Sequence, residues 1–336
     1  MNKIIFAIIF LLAIVNFFSI NTIYNSYVDQ KFLMGAFYNK AENIPLEDIF
    51  SINTSFPNLS ATSVPVEVLK AQILLNQKYY KDTVISMLDQ GIKMNPYHQY
   101  PYAIKALYYA NKNNLDSLEK YAKKSYYNMP DHKVHFNLYL DLLRFKKDTL
   151  ELNKAFKYLK TPREEFAERY LSVLTNIKNN FSQSDENIAD SLANLFSSNK
   201  YTEIYSKIFK VGKENVYQAF KIAKDAEKLF NNKKYEKAAS LYERAFELNP
   251  IEKAYYENAA NSHMQAGNDK KAIEILKEVI SKLNPRTGKA EYLLGILYIG
   301  MKENQTGCEY LYESKNKGFT INPLIFSKFC NQEDTQ

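Results

Sequence analysis

Residues 222–250 read IAKDAEKLFNNKKYEKAASLYERAFELNP. Small Ala226 lies in a first helical stretch, and Tyr235 opens a second in which Ala238 and Ala245 flank Tyr242. Two antiparallel helices approach closely only where small side chains meet, and large ones such as Leu229 and Tyr242 fill the space beside them. Pro250 lacks an N–H and cannot continue a helix interior, so it closes the unit. Working outward, Asn249-Pro250 and Asn284-Pro285 end two similar stretches 35 residues apart, and Asn95-Pro96 and Met129-Pro130 end two more, 34 apart.

The downstream set continues with Ala254–Pro285, which has Tyr256, Ala259, Ala260, Gly267, Ala272 and Leu276 at matching places and one extra residue before its proline. Residues 289–319 follow, with Leu294, Gly295 and Tyr298 in the first helix, Gly307 where an alanine is usual, and Gly318 as a left-handed stop. Upstream, Val68–Pro96 (Ala71, Leu75, Val84, Leu88, Gly91) and Tyr102–Pro130 (Ala106, Tyr109, Leu118, Ala122, Ser125) fit less closely, and Phe136–Pro162 is degenerate. A helix–turn–helix unit recurring at this period resembles the tetratricopeptide repeat (TPR). The resemblance implies an all-α solenoid that binds protein or peptide partners on its concave face. The expected domains are a membrane anchor (1–23), a spacer (24–64), a degenerate array (65–180), connecting helices (181–215), a second array (216–320) and a tail (321–336). The polar FSQSDEN at 181–187 marks the expected hinge, with Ser184 as helix N-cap. Phe56-Pro57 and Val64-Pro65 are expected to be extended.

Residues 4–20, IIFAIIFLLAIVNFFSI, carry no charge. Seventeen helical residues span about 26 Å, close to a ~30 Å hydrocarbon core, and Tyr24 would sit at the far interface. A cleaved signal peptide is the competing reading, but no A-x-A-like site follows. An anchor through residues 4–23 is expected, and Lys3 ahead of it favours the bulk of the chain outside, in a bacterium the periplasm.

Of the 336 residues 44 are basic and 37 acidic, and the +7 excess falls in 66–180, which holds 19 basic and 12 acidic residues. Solvated helix surface is the expected reason. No Arg-rich run or RNA-binding aromatic motif points to nucleic acid. Two cysteines exclude a disulfide-dense domain and a Cys-built metal site. Cys308 and Cys330 can pair in an oxidising compartment. His132-x-x-His135 is the one His pair, with no further ligand in reach, so no metal and no cofactor are expected. His263 occupies a packing position. The 27 tyrosines read as repeat core, with sugar stacking as the alternative.

Turning the first helices by 3.6 residues per turn directs Glu227, Asn231, Glu257, Asn261, Gln265 and Tyr292 to the inner face, a polar groove suited to a peptide or short helix. The groove lacks the Lys/Asn set with which chaperone-binding TPR proteins clamp a terminal carboxylate. Residues 56–97 and 115–136 also resemble the soluble carboxy-terminal tails of O-antigen ligase/polymerase-family membrane proteins. That likeness implies a role beside envelope polysaccharide assembly without its own catalytic site. The expectation from the whole chain is a non-enzymatic, membrane-anchored scaffold, with the glycan machinery or a translocon-associated chaperone role as alternatives.

Overall fold

A computed structural model describes residues 2–39, 43–52, 58–60, 62–283 and 287–330. Phe56-Pro57 and Asn284-Pro285 lie outside the described residues. Among those described, regular structure is helical apart from one antiparallel bridge, Leu59 to Pro65. Pro65 is extended, at φ −58° and ψ 136°. The chain divides into two compact units, Met1–Ile177 and Lys178–Gln336.

The first unit holds α1 (Asn2–Tyr38), α2 (Leu46–Ser51), α3 (Val66–Asn76), α4 (Asp82–Met94), α5 (Tyr100–Asn111), α6 (Leu115–Asn128), α7 (Lys133–Lys146), α8 (Thr149–Tyr158) and α9 (Glu164–Ile177). Helices α3/α4, α5/α6 and α7/α8 are three hairpins, and α9 lays Phe166, Ala167, Tyr170 and Leu174 against the last of them. The second unit holds α10 (Gln183–Leu195), α11 (Lys200–Val211), α12 (Lys213–Asn231), α13 (Tyr235–Leu248), α14 (Lys253–Gln265), α15 (Asp269–Glu278, widening into a π turn at Val279–Leu283), α16 (Lys289–Gly300), α17 (Asn304–Asn316) and α18 (Pro323–Phe329). Here α12/α13, α14/α15 and α16/α17 are the repeat hairpins, and α10/α11 form a further pair.

All six repeat hairpins turn in the same way. Lys78, Asn113, Lys147, Lys233, Gly267 and Lys302 each have positive φ. Within each unit these residues fall 34 or 35 apart. At every one, its own N–H bonds three residues back and the next N–H five back, as in Lys233 N to Phe230 O and Lys234 N to Leu229 O. This is the Schellman closure, which satisfies carbonyls that the helix end would leave free. Only Gly267 adopts the left-handed conformation without a Cβ penalty.

Small residues mark the helix contacts, as the spacing predicts. Ala226, Ala238, Ala245, Ala259, Ala260 and Ala272 are buried. In α16/α17 the approach is closest: a Cβ on Gly307 would stand 2.8 Å from the Gly295 carbonyl oxygen. The extra residue of the second downstream unit is also accounted for. Ala238, Tyr242 and Ala245 precede Ala272, Leu276 and Val279 by 34, but those precede Gly307, Leu311 and Ser314 by 35. The insertion therefore follows Val279, where the helix opens into its π turn.

Three expectations need revision. The segment expected as a spacer from residue 24 is largely helical: α1 runs on to Tyr38, and Leu33, Ala36, Ile49 and Ile52 are buried in the core of the first hairpin. Its apolar side chains recur at helical spacing, which composition alone does not reveal. Ser182, not Ser184, caps α10, because Asp185 completes a capping box with it and also receives Lys178 at 2.6 Å. Burial disfavours the charged Asp185, yet Lys178 and Ser182 hold its carboxyl below the usual value. Finally, part of the basic excess is internal. Lys105 is buried against Asp89, and buried Lys70 donates to the Ile52 carbonyl at 3.2 Å.

Some tyrosines are core, as expected, while others, such as Tyr97, Tyr201 and Tyr217, are exposed. Tyr126, Tyr139 and Tyr170 are fully buried, and each hydroxyl donates: Tyr126 to Ala155 O at 2.6 Å, Tyr139 to Glu151 at 2.8 Å, Tyr170 to Asn153 at 2.7 Å.

Gly267→Ala meets no steric contact and should cost about 1 kcal/mol through its backbone conformation alone. Gly307→Ala forces α16 and α17 apart and should cost about 1–3 kcal/mol. Lys233→Gly should raise stability. Urea unfolding of the full chain, followed by circular dichroism, orders the three variants.

Candidate functional site

The second unit contains an open cleft of about 550 Å³. Helix α10 contributes Asp190, Ala193 and Asn194, α11 contributes Glu203, Ser206, Lys207 and Lys210, and the start of α14 contributes Lys253, Ala254 and Glu257. Ser197, Ile251, Glu252 and Thr287 complete it. The α10/α11 pair, expected only as connecting helices, thus forms one wall. Helix α11 begins at an Asn199 cap that accepts the Tyr201 and Thr202 N–H groups, and its charged residues at 203, 207 and 210 share one face at helical spacing.

The lysines of the cleft are engaged. Lys207 bonds both Glu203 and Glu252, and Lys210 meets Asp190 at 2.7 Å. Burial opposes the Lys207 charge, but the two carboxylates hold its pKa above the ordinary value. Lys253 donates to the carbonyl of Leu283, the last residue of the π turn, where a helix end leaves carbonyls without an intrahelical partner. Burial pushes the Glu257 carboxyl up, the nearby Glu291 and Glu252 carboxylates add to this, and the Lys289 and Lys253 charges only partly offset it.

Of the six residues expected on the inner face, one lines this cleft. Glu257 alone lines the cleft, and it is buried rather than solvated. Glu227, Asn231 and Gln265 are exposed, and Asn261 is half-buried. Tyr292 packs on Phe319, ring centroids 4.9 Å apart. The first helices are covered differently: a ring closes over Tyr292, whereas Glu257 shares its cleft with α10 and α11. Asp190, Glu203, Lys207 and Lys210 were not singled out from sequence, because 181–215 carries no repeat signature.

The Cys308 and Cys330 sulfurs lie 1.98 Å apart, with Cα atoms 5.5 Å apart, tying α17 to the end of α18. His263 is half-buried and its Nε2 lies 2.8 Å from Glu243. In the first unit, His132 and His135 are 4.7 Å apart by ring centroids, and His98 joins them around a second cavity of about 410 Å³ with Phe37, Tyr100 and Met129. Among the described residues no group of three His, Cys, Asp or Glu side chains has metal-binding geometry. His135 is buried and hydrogen-bonded to Ser125 Oγ. Burial, then the repulsion of His132 and His98, lowers its pKa to about 4.

No family model matches the chain. Over 110 residues it is 30% identical to the small glutamine-rich tetratricopeptide repeat-containing protein 2 of Mycosarcoma maydis, a match covering 33% of this chain and 30% of that protein. The chain therefore spans under a third of that relative's length. Among solved structures, the TPR domain of P58(IPK) is 12% identical, covering 90% of this chain and 95% of that one, with a TM-score of 0.38. The TPR2AB-domain:pHSP90 complex of yeast Sti1 is 14% identical, covering 75% and 89%, with a TM-score of 0.29. The chain is thus a helical repeat protein similar to TPR proteins. These matches lend nothing to the likeness of residues 56–136 to polymerase tails.

The histidine sign follows from linkage. With a folded pKa of about 4 against the ordinary 6.5, the unfolded chain binds the proton first. The His135 contribution is full above pH 6.5 and is lost as pH falls towards 4, by up to about 3 kcal/mol. Urea unfolding between pH 7 and 4 should show this slope, and His135→Gln should flatten it.

Proposed function

We propose that the chain is a membrane-anchored, non-enzymatic scaffold that binds a protein partner through the cleft of its second unit. The observation that carries the reading is the cleft itself: an open, polar recess of about 550 Å³ walled by α10, α11 and the start of α14. Its small residues, Ala193, Ser197 and Ala254, leave room for an extended segment, and its charged residues supply hydrogen-bonding directions. The curated relative carries the same repeat type in its name.

Helix α1 supports the anchoring. From Ile5 to Ile23 its large apolar side chains are exposed on all sides, including Phe6, Phe10, Phe17 and Phe18. A helix apolar all round is a core helix or a membrane span. This stretch has no protein around it in the monomer, and a bilayer would cover it. Because α1 continues unbroken into the core of the first hairpin, the anchor would hold the array at a fixed distance from the membrane rather than on a slack tether. A membrane-held scaffold raises the effective concentration of its partner on the same surface. The Cys308–Cys330 pairing supports placement of the bulk outside, since disulfides persist in oxidising compartments.

A photo-crosslinking residue placed at Ala254 or Asn194 of the full chain, in intact membranes, should capture a defined protein segment that mass spectrometry reads. Adducts confined to lipid would refute the partner site. Deletion of residues 4–23 should move the chain to the aqueous fraction, and retention on the membrane would refute the anchor. Maleimide applied to unreduced cells should label neither cysteine, whereas two reactive thiols would place the bulk inside.

A further inference from the structure

The cleft holds one charged group that the described residues leave unanswered. Every lysine around it is spent: Lys207 on Glu203 and Glu252, Lys210 on Asp190, Lys253 on the Leu283 carbonyl. Lys289 donates to Asn258 Oδ1 at 2.8 Å, and Lys317 sits on buried Glu291. Glu257 is only 4% exposed, yet among the described residues it makes no hydrogen bond and no ion pair, and its Oε1 is sealed from solvent. Buried polar groups are ordinarily paired, and an isolated buried carboxylate is costly.

We propose that Glu257 is the seat for a primary ammonium or guanidinium group of the bound segment. The inference rests on the cleft being the partner site described above, and it names the chemistry that site selects. A cation on Glu257 supplies the direct partner its carboxylate lacks in a partly desolvated setting, where a charge-assisted bond is strong. The rim points the same way. Asp190, Glu203 and Glu252 hold Lys207 and Lys210, and among the described residues Lys253 and Lys289 are each bonded to a neutral oxygen, so an entering carboxylate would meet the Glu257 carboxylate, and like charges reject it. Ala193, Ser197 and Ala254 leave space for an aliphatic stem, and about 550 Å³ accommodates a basic side chain with its flanking backbone. The site is therefore opposite in sign to a clamp for terminal carboxylates.

Two sources share this chemistry, a Lys or Arg side chain and a free amino terminus, and the probes separate them. The full chain in nanodiscs is titrated against pentapeptides carrying a carboxy-terminal fluorescein, with fluorescence anisotropy as readout. One is amino-acetylated with a central lysine. A second has a free amino terminus and central norleucine. Controls are acetylated with central norleucine or glutamate. One ammonium peptide or both should bind saturably, at least tenfold tighter than either control, and Glu257→Gln should weaken that binding at least tenfold. A side-chain source is indicated by the first peptide, a terminal source by the second. Glu257→Gln should remain folded and gain stability at neutral pH. A folded carboxyl pKa raised above the unfolded value disfavours folding once pH rises through the unfolded value. Arg286, next to Thr287 in sequence, lies outside the described residues, and Arg286→Gln should not weaken binding. Equal binding of the controls, no saturable binding of either ammonium peptide, or unchanged affinity in Glu257→Gln would overturn the proposal. If crosslinks at Ala254 still captured a protein segment, the partner site would stand while this assignment fell.

Discussion

Outside the degenerate α7/α8 pair, the hairpins depend on two helices touching at side chains of one carbon or none. Ala226, Ala238 and Ala245 do this in one hairpin, and Gly295 and Gly307 bring backbone against backbone in another. Close approach at these points sets the angle at which the large residues interdigitate. It also explains why the hairpins tolerate unequal helices. Upstream, Ala106, Ala122 and Ser125 are buried even though Leu118 departs from the small-residue pattern. The contact needs only a few small positions, so the rest of the sequence is free to drift.

Filling the space beside those contacts with tyrosine has its own consequence. A buried phenol must donate, so polar acceptors are drawn into the core. Glu151 accepts from Tyr139 and Tyr127 and pairs with Lys123 at 3.2 Å. Burial weighs against its charge, but these donors together hold its carboxyl below the usual value. The same phenols are pushed the other way, since burial and the adjoining carboxylate both disfavour loss of the proton, as at Tyr127, raised to about 12. The degenerate hairpin α7/α8 is thus held by a hydrogen-bonded aromatic core where the downstream hairpins rely on alanine.

How far this was legible depends on which signal each feature leaves. The repeats were plain, because proline and small residues recur at 34 and 35. The left-handed turns recur at the same period, but four of six are lysines, and lysine carries no conformational signature that glycine would. The extra residue before Pro285 was visible as a count, while its absorption in a π turn was not. The candidate site was least legible. Periodicity placed Glu257 correctly among first-helix residues, yet burial is set by what packs over a residue, and α10/α11 lack the repeat pattern that would have foretold their position. His98 met His132 and His135 for the same reason: the pairing spans two hairpins and no local spacing encodes it.

The insertion and the cleft are physically connected. The π turn carries the helix to its end at Leu283, whose carbonyl has no intrahelical partner, as at any helix end, and accepts from Lys253, one turn before Glu257 on α14. That lysine is thereby withdrawn from the carboxylate it could otherwise reach. The end of one repeat helix thus has an electrostatic effect on the neighbouring helix. In a solenoid, where each unit contacts mainly its neighbours, such a local change is not averaged over a large core. It leaves Glu257 without its nearest cation in sequence while Glu291 keeps Lys317, so two buried acids of adjacent first helices end with different fates.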